Sequence, residues 1–201
     1  TGPQTGRVAK TTDVFAYASH NGELLKKSEY KGDTISTATR LSEVEFYTSL
    51  DEAANSSHPA GEIKKVTNFL DDGISPELIQ YFAYNEFKEI LSVDKKELNE
   101  AGQEILASRT FFYTEASHPV FAGEIEKVIS YESDGVSVAS EQNFNYRDIF
   151  GEAELESIET VENGVLASIS HFYMTGDMLI DEYGNDTTTP AQDALVGKMK
   201  Y

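Results

Sequence analysis

Polar and apolar residues alternate along parts of this chain with a period close to two. LIQYFAY (78–84), VSVASEQNFNY (136–146) and ELESIETV (154–161) set aromatic or β-branched side chains among polar ones. That pattern predicts half-buried strands rather than helices. Asp72-Gly73 and Asp134-Gly135 fall between two such runs, and Asp-Gly joins paired strands because Gly tolerates positive φ. Glu162-Asn163-Gly164 marks a further turn. LDEAANSS and KKELNEAGQE compete as helical turns. The expected fold is all-β, made of antiparallel hairpins and meanders with room for one short helix.

The same phrase is written more than once. GEIKKVTNFLDDGISPELIQYFAY (61–84) and GEIEKVISYESDGVSVASEQNFNY (123–146) align without a gap, Tyr84 falling on Tyr146. Gly22, Tyr30 and Ile35 have the same separations as Gly61, Phe69, Ile74 and as Gly123, Tyr131, Val136, which gives a shorter, earlier copy. ILAS before FFY (105–113) and VLAS before FY (165–173) close the second and third copies. Tandem repeats of one hairpin unit follow. The expected divisions are an extended segment 1–12, a short repeat 13–49, repeats 50–111 and 112–169, and a partial repeat 170–201. In that last copy Gly176-Asp177 is read as standing where Gly61-Glu62 and Gly123-Glu124 stand. Incomplete terminal copies either cap an array or leave it open to a neighbour.

Gly-x-Ile/Leu, a strand, Asp-Gly, a second strand and a closing aromatic-x-Tyr together resemble the YD repeats of Rhs-type proteins. Residues 61–84 and 123–146 carry the pattern, and 22–46 carries part of it. The resemblance implies a bacterial, exported, all-β array of stacked hairpins. No functional residue is carried over from it.

Charge narrows the partners. Among 201 residues, 35 acids stand against 16 bases, for a net charge of −19. Phosphate surfaces are repelled at long range, so neither nucleic acid nor an anionic membrane is expected as a partner. No run approaches the roughly 18 apolar residues that a membrane span needs. There is no cysteine, which excludes disulfides, thiolate metal sites and cysteine nucleophiles. The chain opens TGPQTG without Met, from which a removed leader and an extracellular or cell-surface location are expected.

Candidate chemistry is sparse. Asp71, Asp72, Asp134, Asp181 and Asp186 lie in acidic turns and are the candidate ligands for Ca²⁺, which takes several hard oxygens; ordinary turn hydrogen bonding is the other reading. All four histidines follow Ser, at Ser19-His20, Ser57-His58, Ser117-His118 and Ser170-His171. Equivalent places on successive units would make them a metal ladder or a pH sensor, or simply side chains that bond a turn. Tyr30, Phe69, Tyr84, Tyr131 and Tyr146 recur at repeated places, for packing or for an exposed face that binds glycan or another subunit. No G-x-S-x-G, H-E-x-x-H, Walker loop or G-x-G-x-x-G occurs, so no enzyme is expected. No cofactor is expected beyond Ca²⁺. The expected function is structural, a surface, appendage or fibre subunit that associates through edge strands with itself or another surface protein. The other expectation is a secreted module for glycan or Ca²⁺.

Overall fold

The computed structural model describes residues 10–181 and 183–200. Strands dominate: β1 (Thr11–Tyr17), β2 (Leu24–Lys31), β3 (Arg40–Phe46), β4 (Ile63–Phe69), β5 (Pro76–Tyr84), β6 (Ile90–Leu98) and β7 (Glu104–Phe112) come first. β8 (Ile125–Tyr131), β9 (Val138–Ile149), β10 (Glu152–Glu162) and β11 (Val165–His171) follow, then a small hairpin of β12 (Met178–Ile180) and β13 (Asp186–Pro190). β1 to β11 form one antiparallel meander in sequence order, and among the described residues β1 and β11 are its outermost strands. Among the described residues the one α-helix, α1 (Ser49–Ala54), is a capped turn and a half in which Thr48 and Asp51 bond each other's backbone N–H. It falls on LDEAANSS, whereas KKELNEAGQE supplies the end of β6 and its turn. Contacts divide the chain into two compact units, one up to Ala107 and one from Ser108.

The turns explain why the strands stop where they do. Asn85, Asn99 and Asp181 each begin a three-residue hairpin loop of one design. The side-chain Oδ1 of each accepts the N–H groups two and four residues on, at 2.8–3.0 Å. The chain then passes through a left-handed residue, Lys88, Gly102 or Gly184, the geometry of a hairpin with a one-residue bulge. Asp72 and Asp134 do similar work between β4–β5 and β8–β9. Asp72 accepts from Ile74 and Ser75 N–H at 2.8 Å, and Asp134 from Val136 and Ser137 N–H at the same distance. Gly73 and Gly135 take positive φ, 65° and 70°. The hairpins expected at both Asp-Gly pairs are present.

Burial is thin and partly polar. Among the described hydrophobic side chains only Tyr47, Ile79, Tyr84 and Met174 fall in the buried class, joined by Pro59 and the polar Ser28, Thr67, Thr114 and Ser157. In the first unit one cross-strand row runs Ser28, Glu43, Thr67, Ile79, Lys96 from β2 to β6. Ser28 and Thr67 both flank Glu43 in that row, and the Ser28 hydroxyl donates to the Glu43 carboxylate at 3.4 Å. Tyr47, Pro59 and Tyr84 in the first unit, and Thr114 and Met174 in the second, instead lie where strands leave the sheet.

Candidate functional site

β3, β7 and β11 each run into Phe-Tyr, at Phe46-Tyr47, Phe112-Tyr113 and Phe172-Tyr173. After each Tyr the chain leaves the sheet, and it returns through a left-handed Gly. Tyr47 N–H donates to the Glu62 carbonyl and its carbonyl accepts from Gly61 N–H, both at 2.9 Å. Tyr113 repeats this with Glu124 and Gly123, and Tyr173 repeats it with Lys198 and Gly197, again at 2.9 Å. The Gly is the third residue of a turn closed from Glu62 to Pro59, Glu124 to Phe121 and Lys198 to Leu195. Ala122 (φ −54°, ψ 126°) and Val196 (φ −53°, ψ 131°) precede it. Those angles define a type II turn, which requires positive φ at its third residue.

Each of these three corners has its own filling. At the first, His58 stacks on Tyr47 with ring centres 4.6 Å apart, and Tyr84 meets Tyr47 edge-on at 6.3 Å. The Tyr84 hydroxyl, from the strand after next, donates to the Ile63 carbonyl. At the second, His118 and Tyr146 both meet Tyr113 edge-on, at 5.0 and 6.1 Å, and the Tyr146 hydroxyl bonds the Ile125 backbone. Burial first, then the Glu62 and Glu124 carboxylates, push Tyr84 and Tyr146 up to about 12. The third corner copies the first in its ion pair. Lys64 lies over the Tyr47 ring and pairs with Asp51; Lys200 lies over the Tyr173 ring and pairs with Asp177. Its register also matches, since Phe172 faces Met199 as Phe46 faces Ile63 and Phe112 faces Ile125. Among the described residues no tyrosine donates to Met199.

Two alignments read from sequence shift here. The partner of Gly61-Glu62 and Gly123-Glu124 is Gly197-Lys198, not Gly176-Asp177. The β12–β13 hairpin is inserted between Asp177 and Ala191, whose N–H closes onto the Asp177 carbonyl at 2.9 Å. Gly22 also differs in role. It opens β2, one strand before the Phe-Tyr end of β3, whereas Gly61 and Gly123 open β4 and β8, each three strands before the next such end. A left-handed Gly followed by an acid serves several turns of this chain, so the shared spacing reports turn chemistry.

The four histidines do not all fall on equivalent places. His58 and His118 pack on corner tyrosines, His20 lies in the β1–β2 turn, and His171 is the last residue of β11, opposite Ser157. The five acidic candidates are all exposed. Asp72 and Asp134 are engaged by turn N–H groups and by the Ser75 and Ser137 hydroxyls, and Asp181 by its own loop. Asp71 neighbours Asp72, and Asp186 begins β13. Among the described residues no three His, Asp or Glu side chains converge as a metal site would need.

One polar cluster lies on the sheet of the first unit. The Tyr81 hydroxyl donates to Glu104 at 2.9 Å, and Lys65 and Lys96 flank the same carboxylate at 3.6 and 3.5 Å. Its charges satisfy one another, which suits a structural role. The features that sequence reading did not single out are the third corner and the residues of the two outer strands. A shared Phe-Tyr ending was the available signal, with LVGKM (195–199) echoing PAGEI (59–63).

No family model matches the chain, and no curated protein does. Among solved structures, a TcdB2-TccC3-Cdc42 complex is 9% identical with a TM-score of 0.39; the match covers 82% of this chain but only 9% of that one. A protein of unknown function from Bacteroides fragilis is also 9% identical, at a TM-score of 0.30, over 75% of this chain and 93% of that one. At these scores neither carries a functional argument. Among the described residues no helix is long and apolar enough to cross a membrane.

Proposed function

We propose that this protein is a non-enzymatic, exported structural subunit of a cell surface, appendage or fibre, and that it assembles through its strand edges. The observation that carries the reading is the pair of outer strands, β1 and β11, whose residues are mostly exposed. An outer strand has a row of backbone donors and acceptors facing away from its neighbour, which pairs with another chain unless blocked. Neither strand contains proline, and β11 contains no charged Lys, Arg, Asp or Glu to deter pairing. Thin burial adds to this, because a sheet with few buried apolar side chains gains from a partner.

Sedimentation velocity across a hundredfold range of protein concentration tests the reading, with electron microscopy of the concentrated sample. Concentration-dependent growth and a melting point that climbs with protein concentration are expected. A single monomeric species throughout would end the proposal.

A glycan-binding module is the second reading, favoured by aromatic side chains at hairpin tips. Phe87, Phe150 and Tyr183 are 69%, 99% and 82% exposed. Ala101 occupies the place of Phe87 and Tyr183 in the same kind of turn, so the turn itself does not call for a ring. A glycan array on which the protein and its Phe87→Ser, Phe150→Ser and Tyr183→Ser variants bind alike would dismiss it.

A further inference from the structure

We infer that a cavity between the β1–β2 turn and α1 binds an alkylammonium group, the chemistry shared by a lysine side chain and a small free amine. The backbone sets the cavity. β1 ends at Tyr17, and its turn closes with Ala18 N–H on the Glu23 carbonyl at 2.8 Å and Gly22 N–H on the Ala18 carbonyl at 2.9 Å. Past Tyr47 the chain leaves the sheet and enters α1, capped by Thr48. The Glu23 carboxylate accepts from Ser49 N–H at 3.1 Å, which ties the turn to the helix across 26 residues. Beside that tie the two segments leave a cavity of about 420 Å³, a size that suits a small ligand.

Its lining is apolar around one carboxylate. Tyr17, Leu25 and Leu50 line it and are 59%, 36% and 71% exposed. Single exposed leucines are ordinary; three large apolar side chains round one charged group make a pocket with a polar anchor. Hydrogen bonds from Ser49 and then Asn21 hold Glu23 below the usual carboxylate range, so it is ionised at neutral pH. A neutral apolar occupant would strip water from that carboxylate and give nothing back. An anion would be repelled by Glu23 and by the net charge of −19. A cation on an apolar stem satisfies both parts of the lining.

The chain itself shows what completes a tyrosine and a carboxylate. Lys64 lies over Tyr47 and pairs with Asp51, Lys96 lies over Tyr81 and pairs with Glu104, and Lys200 lies over Tyr173 and pairs with Asp177. In each set the ammonium nitrogen is 4.7–5.5 Å from the ring centre, within reach of a cation–π attraction. Tyr17 and Glu23 share a cavity that has neither Lys nor Arg among its lining residues. The nearby lysines of β2 are engaged elsewhere, Lys26 with Glu43 and Lys27 with Asp13. An ammonium from outside supplies the third member, and its stem lies along Leu25 and Leu50.

Amide NMR spectra of the whole chain, titrated with pentylamine, acetyl-lysine methylamide and pentanol, test the site. Both amines are expected to shift the signals of Ser19–Glu23 and Thr48–Leu50 and to saturate, with Kd on the order of 1 mM. The tighter of the two distinguishes a free amine from a peptide side chain. Pentanol has the stem without the charge and should bind about tenfold more weakly. Glu23→Gln keeps an acceptor for Ser49 N–H and removes the charge, so amine binding should weaken about tenfold. Leu50→Ser keeps the charge and should weaken it about threefold. Glu100→Gln removes an equal charge from the exposed β6–β7 turn and should change nothing. Circular dichroism establishes that each variant is folded. Pentanol binding as well as pentylamine, Glu100→Gln weakening binding as much as Glu23→Gln, or no saturable shift with either amine overturns the site. None of these outcomes depends on assembly, so the edge proposal stands or falls separately.

Discussion

The Tyr84 hydroxyl donates to the Ile63 carbonyl at 3.0 Å, reaching from β5 to the first residue of β4. Tyr146 and Ile125 repeat the contact in the second unit. The bond ties the return of the connector to the body of the sheet, and the tyrosine ring covers Tyr47 or Tyr113 as it does so. Tyr84→Phe removes the bond and keeps the ring, so a loss of about 1 kcal/mol is expected. Tyr84→Ala removes both, for about 3–5 kcal/mol. Urea denaturation of both variants checks this. Equal losses would mean the hydroxyl, rather than the ring, holds the corner.

Gly73 has a different constraint. It lies in the β4–β5 loop with φ 65°, and a Cβ built on it would come 1.9 Å from the Thr37 carbonyl oxygen. Arg40 Nε also donates to the Gly73 carbonyl at 3.2 Å, so this loop is seated on the turn before β3. Gly102 has φ 74° and nothing within 4 Å of its Cβ position. Gly102→Ala is expected to cost about 1–2 kcal/mol, the strain of a left-handed residue. Gly73→Ala adds a backbone clash that no rotamer relieves. Melting curves should therefore rank Gly73→Ala well below Gly102→Ala, and matching curves would count against the seated loop.

The strands, both Asp-Gly hairpins and the repeat of 61–84 at 123–146 were legible because period-two patterning and turn chemistry are local. The third corner was not. Tyr173 and Gly197 are separated by an inserted hairpin, and Gly176-Asp177 offers a nearer decoy with the right residue types. Histidine equivalence failed for a related reason, since Ser-His recurs in sequence while His171 sits in a strand and His58 in a connector. Burial at Tyr84 could be guessed from its repetition, but the row Ser28, Glu43, Thr67, Ile79 depends on the pairing of four strands. Pattern within one strand does not carry that information.

Stability is expected to fall at both ends of the pH range. Asp51 is held down to about 2 from 3.8, first by the Thr48 N–H, then by the Thr48 hydroxyl and Lys64. The Ser75 and Ser137 hydroxyls, with turn N–H groups, hold Asp72 and Asp134 down as well. These carboxyls bind protons less readily folded than unfolded. Their contribution is complete above the unfolded value near 3.8 and is lost as pH drops toward 2. Tyr84 and Tyr146 are displaced the other way, from 10.0 to about 12. Their protonated forms are favoured by folding, so that contribution is whole below pH 10 and disappears as pH rises toward 12. Absorbance at 295 nm during an alkaline titration should show a late-ionising tyrosine fraction that shrinks in Tyr84→Phe. An unchanged late fraction would contradict the burial assigned to Tyr84.

Phe150 supplies a case where a substitution is expected to stabilise. β9 and β10 are joined by Phe150-Gly151, both at positive φ, 56° and 90°. The next hairpin, between β10 and β11, uses Asn163-Gly164 at 50° and 74°. Two-residue hairpin loops with both central residues left-handed favour Asn-Gly, because a short polar side chain tolerates that conformation better than a bulky one. Phe150 is 99% exposed, so its ring contributes no packing that a replacement would lose. Phe150→Asn should raise the urea midpoint by an amount equivalent to about 0.5–1 kcal/mol, with the slope unchanged. The same change in a strand partner such as Phe144, which is half-buried in β9, should lower it. If Phe150→Asn instead destabilises the protein, the ring must be packed in solution, and the tip of this hairpin is then part of a contact rather than a strained and solvent-facing turn.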